Sequence, residues 1–218
     1  IDAYNGHSLI TPAAAPHAPY SLDEEHMKIC GEISERSGTP LLIHLSEMPF
    51  EMEQFRETPD GTPVAWMNRL GLVNSRLIAA HCIHVDESDI GILASGDVGV
   101  IHNAAANMKS GKAVAPVTDM LNLGLRVGLG TDGPMSGNTM DIVNQLGYVA
   151  KIHKTVRRNP TVMPARTVVE MATMGGAQAL HLDHLIGSLE VGKRADVVVV
   201  ATDSMSMFPM HNPWSALV

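Results

Sequence analysis

The sequence predicts an α/β protein built on a parallel sheet. Short apolar segments alternate with stretches of helical length along most of the 218 residues, a pattern typical of strand–helix–strand crossovers. Polar residues that can bind a metal come directly after several of these apolar segments. Because the carboxyl ends of parallel strands meet at one edge of a sheet, as they do in a (β/α) barrel, we expect these side chains to form one polar site.

Five apolar segments are predicted to be strands, since each is short and ends at a polar residue, a glycine or a proline. They are Leu9–Ala15, Leu41–Leu45, Leu77–Ala80, Val98–Ile101 and Arg126–Leu129. A complete (β/α)8 barrel has eight strands. The sequence therefore predicts part of a barrel.

The segments between these strands are predicted to be helices. In Ser21–Ser37, Ser21 is the expected N-cap, Glu24 occupies the capping-box position and Gly38 ends the helix. Further helices are expected at Pro63–Leu70, Glu87–Ala94, Val117–Leu123, Asn138–Val156 and Pro164–Leu180.

The end of the chain departs from this alternation. Gly187–Val200 contains two β-like segments with no helix between them, which predicts a hairpin at the start of a small accessory β structure. We therefore expect two parts. Residues 1–186 would belong to the barrel, and residues 187–218 would be a segment of the accessory β structure.

Composition limits the classes of partner. The formal net charge is −8 and no basic stripe occurs, which argues against a nucleic-acid partner. No apolar run approaches the roughly 20 residues that span a bilayer, so no membrane partner is expected. Cys30 and Cys82 do not form a C-x-x-C pair, which favours a reduced, cytoplasmic setting. We expect a small-molecule substrate, and a homo-oligomer is left open.

His44 and Glu47 form an H-x-x-E motif at the end of the second predicted strand. An imidazole there can bind a divalent metal that activates water. The carboxylate of Glu47 can carry a proton from that water to a leaving group. A lone histidine after an apolar strand is more often a core residue, but the glutamate three positions later favours a site.

His81 ends the third predicted strand and is either a metal ligand or the base that orients the water. His84 is its rival in the same motif, and His81 is favoured because it directly follows the strand. A further alternative is Cys82 as a nucleophile. Its apolar neighbours offer little to lower the pKa of the thiol, which argues against that role.

Asp132 lies in the glycine-rich segment Gly128–Gly133, where its carboxylate can bind metal and accept a proton from bound water. His17 stands between Pro16 and Pro19, which suits a fixed donor to a substrate hydroxyl, with plain surface placement as the alternative. Four polar residues at the end of the fourth strand either shape the pocket or have no chemical role: His102, Asn103, Asn107 and Lys109.

Together these motifs resemble the deaminase and chlorohydrolase branch of the amidohydrolase superfamily. The matching segments occur in the family's order: Pro16–Ser21, His44–Glu47, Ala80–His84, His102–Lys109 and Gly130–Gly133. Gly187–Asp196 resembles the family's return into its small β-sandwich. The resemblance implies strands 4–8 of a (β/α)8 TIM barrel, followed by the start of a C-terminal β-sandwich.

The subgroup that the chain resembles most is the 5′-methylthioadenosine/S-adenosylhomocysteine deaminases. The resemblance implies one divalent metal, zinc with iron as the alternative, held by His44, His81 and Asp132. Glu47 would be the acid/base group and a substrate contact, His81 would assist the attacking hydroxide, and Asp132 would take the proton of the water. His17 would touch the ribose. The implied reaction attacks a purine ring carbon and releases ammonia.

Three alternatives stay open at this point. Triazine chlorohydrolases and deaminases of the guanine or cytosine type share most of these motifs, so the leaving group is not fixed by them. The third alternative is a non-catalytic fragment that retains the fold.

The family's H-x-H pair, which supplies two further metal ligands, has no counterpart here, because His7 has no histidine two residues away. An open set of barrel strands also leaves sheet edges and an apolar face uncovered. We therefore expect the 218 residues to be inactive alone and to be part of a longer polypeptide that carries H-x-H upstream. Intact-mass spectrometry tests this expectation. The mass of these residues alone, found together with ammonia release, would contradict it.

Overall fold

The computed structural model describes residues 1–218 except for the side chain of Ser206. Strands and helices alternate as the α/β class requires. The strands are β1 Leu41–Leu45, β2 Leu77–His81, β3 Gly99–His102 and β4 Arg126–Leu129. The helices are α1 Glu24–Ser37, α2 Pro49–Arg56, α3 Pro63–Arg69, α4 Glu87–Ser95, α5 Ala104–Lys109, α6 Val117–Asn122, α7 Pro134–Gly137, α8 Ile142–Arg157, α9 Ala165–Ala172, α10 Met174–Ala179 and α11 Pro213–Leu217. Single 3-10 turns occur at Asp2–Tyr4, Pro19–Ser21 and Met205–Met207.

The chain divides into two units. The first consists of Ile1–His102 with Ala115–Arg126, and the second of Asn103–Val114 with Val127–Val218. In the first unit β1, β2 and β3 pair side by side in parallel. Leu45 lies opposite His81 in the register, so the ends of β1 and β2 are level with each other.

The core of the first unit is built around β2, which lies between β1 and β3. Its residues Leu77–Ala79 are buried, as expected for a parallel strand covered on both faces. Leu41, Ile43 and Leu45 of β1 are buried as well, while Leu42 between them is exposed. The apolar segments predicted from Leu41 and from Leu77 are therefore confirmed as strands.

The first predicted strand, Leu9–Ala15, is wrong. Only Ala14 makes a bridge, which is parallel to Leu41 at the edge of β1. Pro12 lacks a backbone N–H to donate to a ladder, and Leu9 is exposed, so neither pairing nor burial favours a strand here.

Helix α1 begins three residues later than predicted. Asp23 is the N-cap and its carboxylate accepts a hydrogen bond from the backbone N–H of His26 at 2.9 Å. Ser21 belongs instead to the preceding 3-10 turn, where its hydroxyl accepts from the N–H of Ala18. The predicted stop is confirmed, because Gly38 ends α1 in the left-handed region at φ 65°.

In the second unit the two long helices predicted from the sequence are shorter than expected. Helix α8 starts at Ile142 because the Asp141 carboxylate caps it, accepting from the N–H of Val143 at 2.8 Å. The helix predicted over Pro164–Leu180 is broken into α9 and α10 at Thr173. That residue has φ −124° and ψ −98°, far from helical values.

The hairpin predicted in Gly187–Val200 is not formed, since no residue of this segment lies in a strand in the described part of the chain. Val198 and Val199 are exposed. A two-stranded hairpin without further partners is marginally stable in water, which explains why the apolar sequence alone does not produce one. The division at residues 186 and 187 stays a prediction.

Across the described residues, the helices are all too short or too polar to traverse a lipid bilayer.

Leu77→Ala is expected to lower the free energy of unfolding of the first unit by about 2–5 kcal/mol, because it leaves a cavity in the centre of the sheet. Leu77 is 0% exposed. Urea unfolding followed by Trp66 fluorescence measures this in a Trp214→Phe background, so that the signal comes from the first unit. Leu123→Ala is the control, as Leu123 is 51% exposed, and should change stability by at most about 0.5 kcal/mol. Equal effects of the two substitutions would contradict the assignment of the core.

Candidate functional site

Three histidine rings lie in a row at the carboxyl edge of the sheet. The ring centroids of His17 and His44 are 4.9 Å apart, and those of His44 and His81 are 5.5 Å apart in a stacked arrangement. His44 is the fourth residue of β1 and His81 is the last residue of β2. The parallel pairing of the two strands thus brings together three of the histidines predicted from the sequence.

The orientation of His44 is fixed by one backbone carbonyl. The carbonyl oxygen of His17 accepts from the backbone N–H of His44 at 3.0 Å and from the ring Nδ1 at 2.7 Å. Since a carbonyl can only accept, Nδ1 is the donor in this contact, and Nε2 is the ring nitrogen available to a metal. A histidine whose Nδ1–H is held by a carbonyl is the arrangement found around metal-binding imidazoles. His44 is therefore suited to bind a metal through Nε2.

His81 and Glu47 form a close imidazole–carboxylate pair. Nε2 of His81 lies 3.4 Å from Oε1 of Glu47. The His81 side chain is 0% exposed and that of Glu47 is 13% exposed, so both are largely shielded from water. A carboxylate and an imidazole at this separation can act together in proton transfer with a molecule bound beside them.

The backbone at the strand ends is held in an unusual conformation. Ser46, His81 and Cys82 have φ values of 49°, 73° and 46°, in the left-handed region that residues other than glycine rarely adopt. The conformation is maintained by hydrogen bonds across the two strand ends. The N–H of Cys82 donates to the Leu45 carbonyl at 3.0 Å, and the N–H of His84 donates to the Ser46 carbonyl at 2.8 Å. Such strain is typical of functional sites, where the surroundings impose it.

The two alternatives to His81 in its motif, Cys82 and His84, are both affected by burial. Cys82 is fully buried, and burial raises the pKa of its thiol well above the ordinary range, with the charges of Asp89 and Glu51 acting in the same direction. His84 has a buried Nε2 without a hydrogen-bond partner among the described residues, and burial lowers its pKa. The preference for His81 stays a prediction.

Sequence reasoning missed three residues beside the histidine row. The ring of Tyr20 is 5.7 Å from that of His17 and 4.9 Å from that of Phe50. The pKa of Tyr20 is raised, first by burial and then by the charges of Glu51 and Glu47. Glu51 lies behind Glu47, and the helix α2 that carries it was not predicted. Pro49 at the first helical position and Glu51 at the third are the signal that could have identified that helix.

The remaining predicted residues lie at the ends of β3 and β4. His102 is the last residue of β3 and is buried. In the second unit, Asp132 follows β4 with φ 59°, and its Oδ1 accepts from the N–H of Gly133 at 2.7 Å. Because Asp132 belongs to the second unit, its convergence with His44 and His81 stays a prediction.

The polar residues expected to follow β3 also lie in the second unit. Asn103 precedes α5, and Asn107 is buried within that helix. Lys109 ends the helix and donates from Nζ to the carbonyl of Met135 at 2.6 Å and to Oδ1 of Asn138 at 2.7 Å. Lys109 therefore ties α5 to α7 and the residue that ends it, a structural contact within this unit.

The donor chemistry fits a divalent metal. Within the described residues, no group of three or more His, Cys, Asp or Glu side chains is close enough to hold an ion. The nitrogen atoms of His44 and His81 are nevertheless ligands that suit zinc, and the Nδ1 of His44 is already engaged in the way a ligating imidazole requires. The assignment of His44, His81 and Asp132 as one ligand set stays a prediction.

A family model confirms the class of protein that the motifs indicated. Residues 3–216 match the model described as the amidohydrolase family. The chain belongs to the amidohydrolase family.

Two relatives that share one name are similar to this chain over nearly its whole length. The chain is 41% identical over 218 residues to a 5-methylthioadenosine/S-adenosylhomocysteine deaminase of Syntrophobacter fumaroxidans, a match that covers 100% of this chain and 50% of that protein. It is 44% identical over 209 residues to the enzyme of the same name from Desulforudis audaxviator, with 96% and 49% covered. The chain thus spans about half the length of the curated relatives it matches.

Solved structures agree with the fold. An adenosine deaminase from Xanthomonas campestris with bound zinc superimposes with a TM-score of 0.95 at 33% identity, covering 99% of this chain and 49% of that one. An atrazine chlorohydrolase from Arthrobacter aurescens complexed with zinc gives a TM-score of 0.89 at 22% identity, again over 99% and 49%. These matches confirm the predicted α/β fold as that of about half an amidohydrolase chain.

Iodoacetamide is expected to alkylate Cys30 faster than Cys82 in the folded protein. Cys82 is fully buried and its raised thiol pKa leaves little of the reactive thiolate. Cys30 is partly exposed and serves as the internal control, although burial raises its pKa as well. Peptide mass spectrometry after timed labelling measures the two rates, and both cysteines should react equally in urea. Equal rates in the folded protein would show that Cys82 is accessible as a nucleophile.

Proposed function

We propose that this chain is the larger part of the active site of a metal-dependent hydrolytic deaminase that acts on an aminated N-heterocycle. The observation that carries the proposal is the grouping of His44, His81 and Glu47, in which one imidazole is oriented for a metal and another is paired with a carboxylate. Family membership and the names of the relatives support it. An adenosine derivative, 5′-methylthioadenosine or S-adenosylhomocysteine, is the proposed substrate.

A divalent metal, zinc with iron as the alternative, supplies an activated water when it is bound. We assign Nε2 of His44, the ring of His81 and the carboxylate of Asp132 to hold it. His44 is the best defined of these, because the carbonyl of His17 leaves its Nε2 free to bind. The zinc present in the adenosine deaminase from Xanthomonas campestris supports this choice of metal.

The proton transfers are assigned to residues beside that position. Glu47 binds the substrate and gives a proton to the ring nitrogen while the oxygen of water adds to the neighbouring ring carbon. Asp132 takes the proton that the water loses, and His81 orients the attacking oxygen. The proton taken by Asp132 passes to the amino group, which leaves as ammonia. The new hydroxyl group returns its proton to Glu47, and the ring carbon retains the oxygen. The 3.4 Å separation of His81 and Glu47 supports their action on one bound molecule.

Substrate contact beyond the ring is assigned to His17. Its backbone is fixed by the two hydrogen bonds from His44, and its ring lies between those of His44 and Tyr20. His17 is exposed, so its ring is accessible to donate to a ribose hydroxyl.

The alternatives differ in the leaving group. A triazine chlorohydrolase would release chloride, and a deaminase of the guanine or cytosine type would release ammonia from another ring. The likeness to the atrazine chlorohydrolase, at 22% identity, concerns the fold alone. The 41–44% identity to two deaminases favours ammonia release. A cytoplasmic location and a homo-oligomer stay predictions.

Glu47→Gln in the complete enzyme is expected to retain the metal and to lower kcat by about 10²- to 10⁴-fold, because an amide cannot carry the proton. Glu53→Gln is the matched control, since Glu53 is exposed on α2. Ammonia release is measured with 5′-methylthioadenosine, S-adenosylhomocysteine, adenosine, guanine and a chlorotriazine. Turnover of Glu47→Gln near that of the unaltered enzyme would show that another group carries the proton.

His44→Ala is expected to lower metal content, because it removes the imidazole whose Nε2 is free to bind. His26→Ala is the control, as His26 lies on the exposed side of α1. Elemental analysis of the purified variants gives the result. Full metal occupancy in His44→Ala would remove His44 from the ligand set.

The leaving group is tested separately with the unaltered enzyme. Release of chloride from the chlorotriazine, without release of ammonia from the other substrates, would favour the chlorohydrolase alternative.

A further inference from the structure

Glu51 is a buried carboxyl group directly behind Glu47. Its residue is 0% exposed, although it lies in the first turn of α2, where a glutamate is ordinarily solvated. Oε1 accepts from the backbone N–H of Met48 at 2.8 Å, which is the usual capping contact at this helix position. The same oxygen also accepts from the backbone N–H of Glu47 at 2.9 Å. The second hydrogen bond goes beyond what capping of the helix requires.

The burial of Glu51 is unfavourable in itself. Its second oxygen, Oε2, is buried and has no hydrogen-bond partner among the described residues. Burial raises the pKa of this carboxyl, and the charge of Glu47 acts in the same direction, while the hydrogen bonds from Met48 and Glu47 oppose them. A methionine or leucine of similar size would avoid this desolvation cost. Helix stability alone therefore does not account for a glutamate at this position.

With the contact between Glu51 and Glu47, the turn at Ser46–Met48 is hydrogen-bonded on both of its sides. On one side, the Ser46 carbonyl accepts from the N–H groups of Ile83 and His84 at 3.0 and 2.8 Å. On the other side, the N–H groups of Glu47 and Met48 donate to Glu51. The backbone of Glu47 is thus held between the segment after β2 and the first turn of α2. Its carboxylate is left 3.4 Å from His81.

We propose that Glu51 is a positioning residue whose carboxyl oxygen holds the backbone of Glu47 and thereby sets the distance between Glu47 and His81. The inference rests on the proposed role of Glu47 as proton carrier. Glu51 acts through Glu47 and makes no contact with the reacting atoms. This role requires an acceptor oxygen at the distance that a glutamate side chain spans. It does not require the negative charge.

Two substitutions in the complete enzyme distinguish the effect of the length of the Glu51 side chain from the effect of its charge. Glu51→Gln keeps an acceptor oxygen at the same distance and removes the charge, so kcat should stay within about threefold of the unaltered enzyme. Glu51→Asp keeps the acid and is one methylene shorter, so the oxygen no longer reaches the Glu47 N–H. Its kcat should fall about 10²-fold with little change in KM, because a displacement near 1 Å has that effect on a reacting group.

The matched controls are Glu53→Gln and Glu53→Asp on the exposed side of the same helix, and both should retain kcat and KM. Hydrogen exchange followed by mass spectrometry gives a readout that needs no activity. Exchange of the Ser46–Met48 amides should be faster in Glu51→Asp and unchanged in Glu51→Gln and in the controls. Thermal melting shows whether each variant is folded.

Several results overturn the proposal. One is a loss of kcat in folded Glu51→Gln as large as in Glu51→Asp, since charge would then be the important property. Another is unchanged exchange of the Ser46–Met48 amides in Glu51→Asp. A third is faster exchange in that variant with normal kcat. Failure of the proposed function looks different, because the unaltered enzyme would then release no ammonia from any substrate while the exchange experiment still reports on the contact.

Discussion

The hydrogen bonds that continue the pairing of β1 and β2 beyond the ends of the strands determine the geometry of the candidate site. The carbonyls of Leu45 and Ser46 accept from the backbone of Cys82–His84, and this contact requires positive φ values at Ser46, His81 and Cys82. The resulting bends turn Glu47 and His81 toward each other. Without this alignment, the sequence would still contain the same residue types, but the carboxylate and the imidazole would not form a pair.

The residues around this contact are arranged in two layers. The histidine row and Glu47 lie at the edge of the sheet, and main-chain and side-chain acceptors next to them fix their orientation. The carbonyl of His17 orients His44, and the carboxyl of Glu51 holds Glu47. Catalysis by acids, bases and metals depends on positions defined to a fraction of an ångström. The acceptors supplied by His17 and Glu51 are consistent with this demand.

The sequence was informative where burial follows local pattern. β1 and β4 were predicted with their observed bounds, and His44 and His81 lie toward the carboxyl ends of their strands as expected. It was misleading where an element depends on distant partners, as in Leu9–Ala15, where one residue finds a neighbouring strand. The role of Glu51 could not be predicted, because its acceptor function depends on the path of the turn before it. The position of Asp132 relative to the histidines likewise depends on tertiary arrangement.

The carbonyl of His17 accepts from both the backbone N–H and the ring of His44, and this arrangement has an evolutionary consequence. The group that orients His44 belongs to the main chain, so an amino-acid replacement at position 17 alters the ring next to the proposed substrate position and leaves the acceptor in place. Selection can therefore change residue 17 without disturbing the neighbouring imidazole. A family built in this way can acquire new substrate ranges through single mutations at that position while the hydrolytic apparatus is inherited intact.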